Sequence, residues 1–195
     1  MLYVVLKEIN HCTLEQKKVV RTVRNELSVR KCMYTDHEIY LDEHLDWIEG
    51  LRSDYKQIVF VVFVDSVVSG VVSVNEIDSR HKKSDWAFYL SENVRGGLGA
   101  ALEFSLLDFV FNHIKLEKLN CEVIETNENV VKMHKKFGFI QEGFRRSNVE
   151  KNGERKGVYF LGITKKEWLD KRSKISKMYE SILSKFDISI EYDHG

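Results

Sequence analysis

The stretch "NVRGGLGAALEFSLLDFVF", residues 93 to 111, sets Arg95, Gly96, Gly97 and Gly99 directly before a long apolar run. A strand that ends in such a turn and re-enters the fold as a helix presents successive unpaired N–H groups. Together with the positive end of the helix dipole, they face whatever lies beyond the strand. Such a place binds phosphate. Glycine lets the main chain approach a pyrophosphate without Cβ interference, and Ala100 and Ala101 keep the first helical turn slim. The same residues would serve equally as a plain strand-to-helix turn in which glycine supplies a positive φ. No Lys-Ser/Thr pair follows, as a P-loop requires, and the position after several antiparallel strands does not suit a dinucleotide fold. The surrounding elements must decide.

Bulk properties remove several function classes. The 30 basic and 30 acidic residues cancel, so no global field recruits nucleic acid or an anionic membrane, and neither partner is expected. Cys12, Cys32 and Cys121 lie far apart, form no CxxC and leave one over in any pairing, which points to a reducing cytoplasm. The amino terminus lacks the basic, apolar and small-residue regions of a signal peptide, and no apolar stretch approaches about 18 residues. The seven histidines are scattered without ligand spacing, so no metal is expected. At 195 residues the chain suits one domain with an appendage.

Hydrophobic periodicity supplies the elements. "LYVVLKEI" reads as a strand. The next segment carries Leu14, Val19, Val20, Val23 and Leu27 at helical spacing behind Thr13 as N-cap, and "IYLDEHLDWIEGL" aligns Leu41, Leu45, Ile48 and Leu51 on a second helix. Two β-branched runs then flank Asp65 and Ser66 as a tight hairpin, and "DWAFYLSE" is a third strand leading into the glycines. A buried helix of about 17 residues follows, then the strand "KLNCEVIE", a helix closed by Gly138, and a hairpin across Asn152-Gly153. The crossover helix predicts that "DWAFYLSE" and "KLNCEVIE" run parallel. The expected fold is α/β, with a mixed, mostly antiparallel central sheet and flanking helices. Residues 1–164 form the domain, and 165–195 form a helical extension packed on it, with Trp168, Ile175, Met178, Ile182 and Phe186 along one stripe.

Taken with the glycine turn, "ETNENVVKMHKKFGFIQEGF" resembles the GNAT acetyltransferases over roughly residues 56 to 163. That resemblance implies the GNAT fold and acetyl-CoA as acetyl donor, with no metal. The family's loop is usually Arg/Gln-x-x-Gly-x-Gly/Ala. Aligned on Gly97 and Gly99 it puts Val94 at the first position and Arg95 one place later, so the backbone of Arg95, Gly96, Gly97, Leu98, Gly99 and Ala100 is the implied pyrophosphate cradle. In the second motif Asn127 takes the Asn position, Val130 stands for the usual Ala, His134 for the usual Tyr, and Gly138-Phe139 is the ending. The resemblance thus implies His134 as the acid that protonates the departing sulfur. It implies Glu76 as the base, the Leu90 amide as oxyanion donor, and Phe88 and Asn127 beside the cofactor. An unperturbed imidazole titrates near ~6.5 against roughly 10 for a phenol, so a histidine in this role needs surroundings that favour its protonated form.

The amino-terminal segment "VRNELSVRKCMYTDHEIYLDEHLDWIEGL" resembles the PseH-type amino-sugar acetyltransferases of pseudaminic acid biosynthesis, which serves flagellin glycosylation. This implies acetyl transfer to the 4-amino group of UDP-4-amino-4,6-dideoxy-N-acetyl-β-L-altrosamine, with Arg30, Met33, Tyr34, His44 and Trp47 around the acceptor. The sugar's methyl group would lie on Met33 and Trp47, and its oxygens would meet Arg30, Tyr34 and His44. Arg145, with Arg146, Arg155 and Lys156, could engage the diphosphate. Two alternatives stay open: a RimJ/RimL-like transferase acting on protein N-terminal amines, and a non-catalytic acyl-CoA-binding module. A homodimer is compatible with all three.

Overall fold

The structure is a computed structural model that describes residues 1–94 and 96–192. Among these residues the chain folds as β1 (Leu2–Glu8), α1 (Leu14–Asn25), α2 (Leu27–Arg30), α3 (Leu41–Leu51), β2 (Ile58–Val64), β3 (Val67–Asp78) and β4 (Lys83–Leu90). It continues with α4 (Leu98–Asn112), β5 (Lys118–Ile124), α5 (Glu128–Lys136), β6 (Ile140–Lys151), β7 (Glu154–Thr164), α6 (Lys165–Met178), α7 (Glu180–Leu183) and β8 (Phe186–Glu191). One eight-stranded sheet runs in the order β6-β7-β5-β4-β3-β2-β1-β8. Two neighbouring pairs, β4·β5 and β1·β8, are parallel, and the others are antiparallel. The expected α/β sheet is therefore present, including the parallel pair that the crossover helix demands.

Local chemistry explains the boundaries. Thr13 and Gln16 exchange side-chain-to-backbone bonds as a capping box at the start of α1. Asp65 and Ser66 both take positive φ, 45° and 70°, as do Asn152 and Gly153, 52° and 78°, which matches the twist of the hairpins they close. β2 is buried on both faces. Its even residues Phe60, Val62 and Val64 join the main core under α4, while Val59, Val61 and Phe63 join a second cluster with Val20 of α1 and Ile48 and Leu51 of α3. The period of two thus sends alternate side chains to two helical layers.

The tail is helical only in part. Expected as a helical extension over 165–195, it breaks at Tyr179, and Phe186–Glu191 forms a strand parallel to β1. Phe186, Ile188 and Ile190 alternate with Asp187, Ser189 and Glu191, and in that alternation the apolar set packs on the core. The anchor of α6 is Trp168, fully buried, whose indole N–H donates to Asp108 Oδ1 at 3.0 Å. Arg172 adds two bonds to the same carboxylate, Nε at 2.7 Å and Nη2 at 2.6 Å. Removing this acceptor strands a buried indole N–H. We therefore expect Asp108→Ala to lower stability by about 1–3 kcal/mol, measured as a shift in urea midpoint with an unchanged slope.

Candidate functional site

β4 and β5 pair only at Lys83↔Lys118, Ser84↔Leu119 and Asp85↔Asn120. Beyond that point the strands part, and Trp86–Leu90 and Cys121–Ile124 become the two walls of a cleft of about 470 Å³. The main chain of β4 is committed on one side only. Ser91 donates to Ser69 O of β3 at 2.8 Å, and strand amides alternate in direction. The N–H groups of Leu90 and Phe88 therefore point away from β3, into the gap.

Val94, the last described residue before the glycine turn, lines the same cleft, so the turn lies at its end. Gly96 and Gly97 take φ of 91° and 102°, a region closed to most side chains. Gly97 is the N-cap of α4, and the helix ladder opens with Ala101 N–H donating to Gly97 O at 3.1 Å. The amides of Leu98, Gly99 and Ala100 precede that ladder. Close packing constrains the turn further. A Cβ on Gly97 would lie 2.6 Å from Ile182 Cγ2 of α7, and one on Gly99 would lie 3.5 Å from the Phe88 ring. Asn127 starts α5 and lines the cleft opposite. An extended arm between the splayed strands with an anionic group on these amides is what the space and donors fit. Arg95 lies outside the described residues.

His134 also lines this cleft. Its ring sits against Trp86, Phe88 and Phe139, with centroids 5.3, 6.4 and 5.2 Å away, and its Nδ1 lies 2.8 Å from Glu103 Oε1. Both side chains are buried, Glu103 completely. With Nδ1 engaged, Nε2 is the nitrogen left for the cleft. Burial raises the Glu103 carboxyl above its ordinary range, opposed by the neighbouring imidazole. Sequence reasoning missed Glu103. The signal was present as an acid inside the otherwise apolar run from Leu98 to Leu107.

A second cleft, about 310 Å³, opens on the other side of β4, between the sheet and α1 and α3. The two clefts share Met33, Ala87, Phe88 and Tyr89, so an acyl group in one can be met by a nucleophile from the other. Met33, His44 and Trp47 line the second cleft. Burial lowers the affinity of His44 for a proton. Its Nε2 lies 2.9 Å from Lys17 O, which can only accept, so the neutral ring carries its hydrogen on Nε2 and leaves Nδ1 as an acceptor. Arg24 in the wall was missed from sequence. It is 7% exposed, its Nη2 donates to Thr35 O and Oγ1 at 3.1 and 2.8 Å, and its Nη1 is buried without a partner.

The family profile described as Acetyltransferase (GNAT) domain matches residues 12–156, well over half of the chain. This protein belongs to the GNAT acetyltransferase family. Members use acetyl-CoA to acetylate amines, and this chain is accordingly an acetyl-CoA-dependent N-acetyltransferase. Among curated relatives, it is 24% identical over 134 residues to acetyltransferase PseH of Campylobacter jejuni, spanning 69% of this chain and 83% of that one. It is likewise 24% identical over 156 residues to spermidine N(1)-acetyltransferase of Escherichia coli, spanning 80% and 84%. Spermidine N-acetyltransferase of Vibrio cholerae, solved with CoA and spermine, superposes with a TM-score of 0.78 at 20% identity, covering 85% of this chain and 98% of that one.

Several expected site residues stand apart from both GNAT clefts. Glu76 sits at φ 50°, exposed, where the β3–β4 register shifts between Asn75 and Asp78. The bulge turns it outward, while Asn75 lines the second cleft instead. Arg30 donates from Nε to Asp36 O at 2.8 Å and faces a third, polar hollow with Lys151. Tyr34 lines neither cleft but gives its hydroxyl to Glu122 Oε2 in the wall of the first one, and desolvation followed by that bond raises its pKa. Arg145 lies exposed on β6 with its guanidinium 4.3 Å from the Phe160 ring centre. The turn after α2 puts Lys31, Cys32 and Met33 in the wall of the first cleft and Met33 in that of the second as well, whereas Arg30 and Tyr34 line neither.

Proposed function

We propose that this GNAT transferase acetylates the 4-amino group of a UDP-linked 4-amino-4,6-dideoxy sugar. Arg24 carries the reading. A buried cation in the acceptor wall suits an oxygen-rich ligand and repels a polycation. Among the described residues lining this cleft Glu43 is the one carboxylate, and it is already held by His37 Nε2 at 2.9 Å. A polyamine would find little counter-charge there. Met33, Trp47 and Phe88 offer the apolar face that a deoxysugar's methyl group needs.

In this reading the pantetheine arm lies between the splayed strands and the diphosphate sits on the amides from Gly96 to Ala100. The neutral amine crosses from the acceptor side and attacks the thioester carbon, and the Leu90 N–H stabilises the resulting oxyanion. His134 Nε2–H protonates the leaving thiolate. His44 Nδ1 accepts a hydrogen bond from the acceptor.

The purified protein should release thiol from acetyl-CoA with the UDP-4-amino sugar and give little signal with spermidine, an N-terminal peptide or no acceptor. Spermidine preference would overturn the sugar assignment, and peptide preference would favour the RimJ/RimL-like alternative. Tight CoA binding with no turnover would leave only an acyl-CoA-binding module. We also expect Arg24→Met to raise the acceptor KM at least about tenfold, in line with a hydrogen bond to a charged group. The acetyl-CoA KM should stay within about twofold, because Arg24 lies across β4 from the cofactor cleft.

A further inference from the structure

We propose that Glu103 and His134 form one proton-holding unit, in which Glu103 is the positioning residue that fixes the imidazole and presents Nε2 to the coenzyme sulfur. The inference rests on the reading of His134 as the acid and goes beyond it by assigning the group that makes a histidine fit there. Geometry carries it. Glu103 Oε1 lies 2.8 Å from Nδ1, both side chains are sealed from solvent, and Glu103 Oε2 is buried without a protein partner. Burying a carboxyl at this depth is costly unless it is paired, and the His134 ring is the partner it has. It sits on α4, the helix whose first turn forms the proposed diphosphate cradle, so one element would position both the anion site and the acid.

The proton accounting closes without an outside reagent. Before transfer the unit holds one ionisable proton beyond the anionic carboxylate and neutral ring. It is either a neutral carboxyl facing an Nε2–H imidazole or a carboxylate facing an imidazolium, which are tautomers of one another. As the C–S bond breaks, the sulfur keeps the electron pair and takes the proton from Nε2. Both tautomers then arrive at the same state, a carboxylate with an Nδ1–H imidazole. The attacking nitrogen loses one proton on becoming an amide, which balances the one delivered to sulfur, and solvent exchange recharges the unit. Burial, which raises the carboxyl's proton affinity, keeps the neutral tautomer accessible and spares the pocket a bare charge.

The titratable groups facing Glu103 are His134 from α5, the Cys121 thiol of β5, raised by burial, and the Tyr179 hydroxyl of the tail, also raised. Neither of the latter ionises near neutrality, so a pH response there belongs to the Glu103–His134 unit. Glu103→Gln keeps the shape and an acceptor for Nδ1–H but can hold neither charge nor proton. Using the UDP-4-amino sugar, kcat should fall about tenfold or more with the acetyl-CoA KM within about twofold. The alkaline limb of the kcat profile should move to lower pH, because the glutamine can no longer share the unit's proton. In a His134→Phe background the same change should add almost nothing.

A second readout needs no acceptor. The proton shared between Glu103 Oε1 and His134 Nδ1 should give a slowly exchanging downfield resonance in the unmodified protein that is lost in Glu103→Leu. An unmoved pH limb in Glu103→Gln, additive effects in the double variant, or a resonance that survives Glu103→Leu would each overturn the unit. If His134→Phe alone leaves turnover intact, the acid assignment itself falls. Absent turnover with the sugar while the resonance behaves as expected would strike the proposed acceptor and not the unit.

Discussion

Replacing His134 with phenylalanine is expected to lower kcat by roughly 10²–10⁴-fold, the usual range for a positioned general acid, while acetyl-CoA binding holds. Phenylalanine approximates the ring's shape among Trp86, Phe88 and Phe139, so packing survives. The proton does not. A thiolate is a tolerable leaving group in water, but this one would depart into a cleft walled by aromatic rings, where an unscreened negative charge is costly. Glu103 loses its partner in the variant and should take up a proton, consistent with the upward displacement its burial already imposes. His134→Tyr supplies the residue usual at this motif position and should recover part of the lost rate. The check is steady-state kcat and KM for both variants beside their melting temperatures. A phenylalanine variant with unchanged kcat and an unchanged pH profile would remove His134 from the chemistry.

The contrast between what was legible and what was not has physical roots. Turns announced themselves because Asp65-Ser66, Asn152-Gly153 and Gly96-Gly97 must adopt left-handed φ, and residue type reports that need directly. The capping box at Thr13 and Gln16 was half visible, Thr13 being read as the cap. The splay of β4 from β5 could only be expected from the family resemblance, since strand separation depends on partners far apart in sequence. β8 escaped for a related reason. "FDISI" continues an apolar stripe at helical spacing, and only the free edge of β1 gives its alternation somewhere to pair. Glu103 and Arg24 hid in plain sight. A charged residue on a helix is normally solvated, and the clue that each sits on an inward face comes from the neighbours around it, Leu102 and Leu106 for one and Val20 and Val23 for the other. Arg30 and Tyr34 sit beside Met33 in sequence, yet of the three Met33 is the one that lines the second cleft.

Gly70 had no part in the sequence reading, and its replacement carries the second large expected effect. It pairs with Leu90 across the β3–β4 ladder, next to the register shift between β3 and β2. A Cβ built there would lie 2.2 Å from Tyr89 O and 3.0 Å from Leu90 Cα, both backbone atoms, and 2.8 Å from Leu90 Cδ2. Backbone cannot swing aside as a side-chain tip can, so Gly70→Ala must push β4 away from β3 at the residue whose amide is assigned to the oxyanion. Overpacking of this kind destabilises by about 1–3 kcal/mol, and loss of one aligned oxyanion donor lowers kcat by about 10²–10³-fold. The affinity for free CoA should fall much less, because its diphosphate would be held by amides on α4 that Gly70 does not touch. Gly50→Ala is the matched control. It sits in α3 with open space around the built Cβ, and alanine there should leave kcat unchanged and stabilise the helix by about 0.5–1 kcal/mol. Titration calorimetry with CoA, urea unfolding and initial rates on both variants separate the outcomes. A Gly70→Ala enzyme that loses stability yet keeps its kcat would mean that the Leu90 amide does not hold the developing charge.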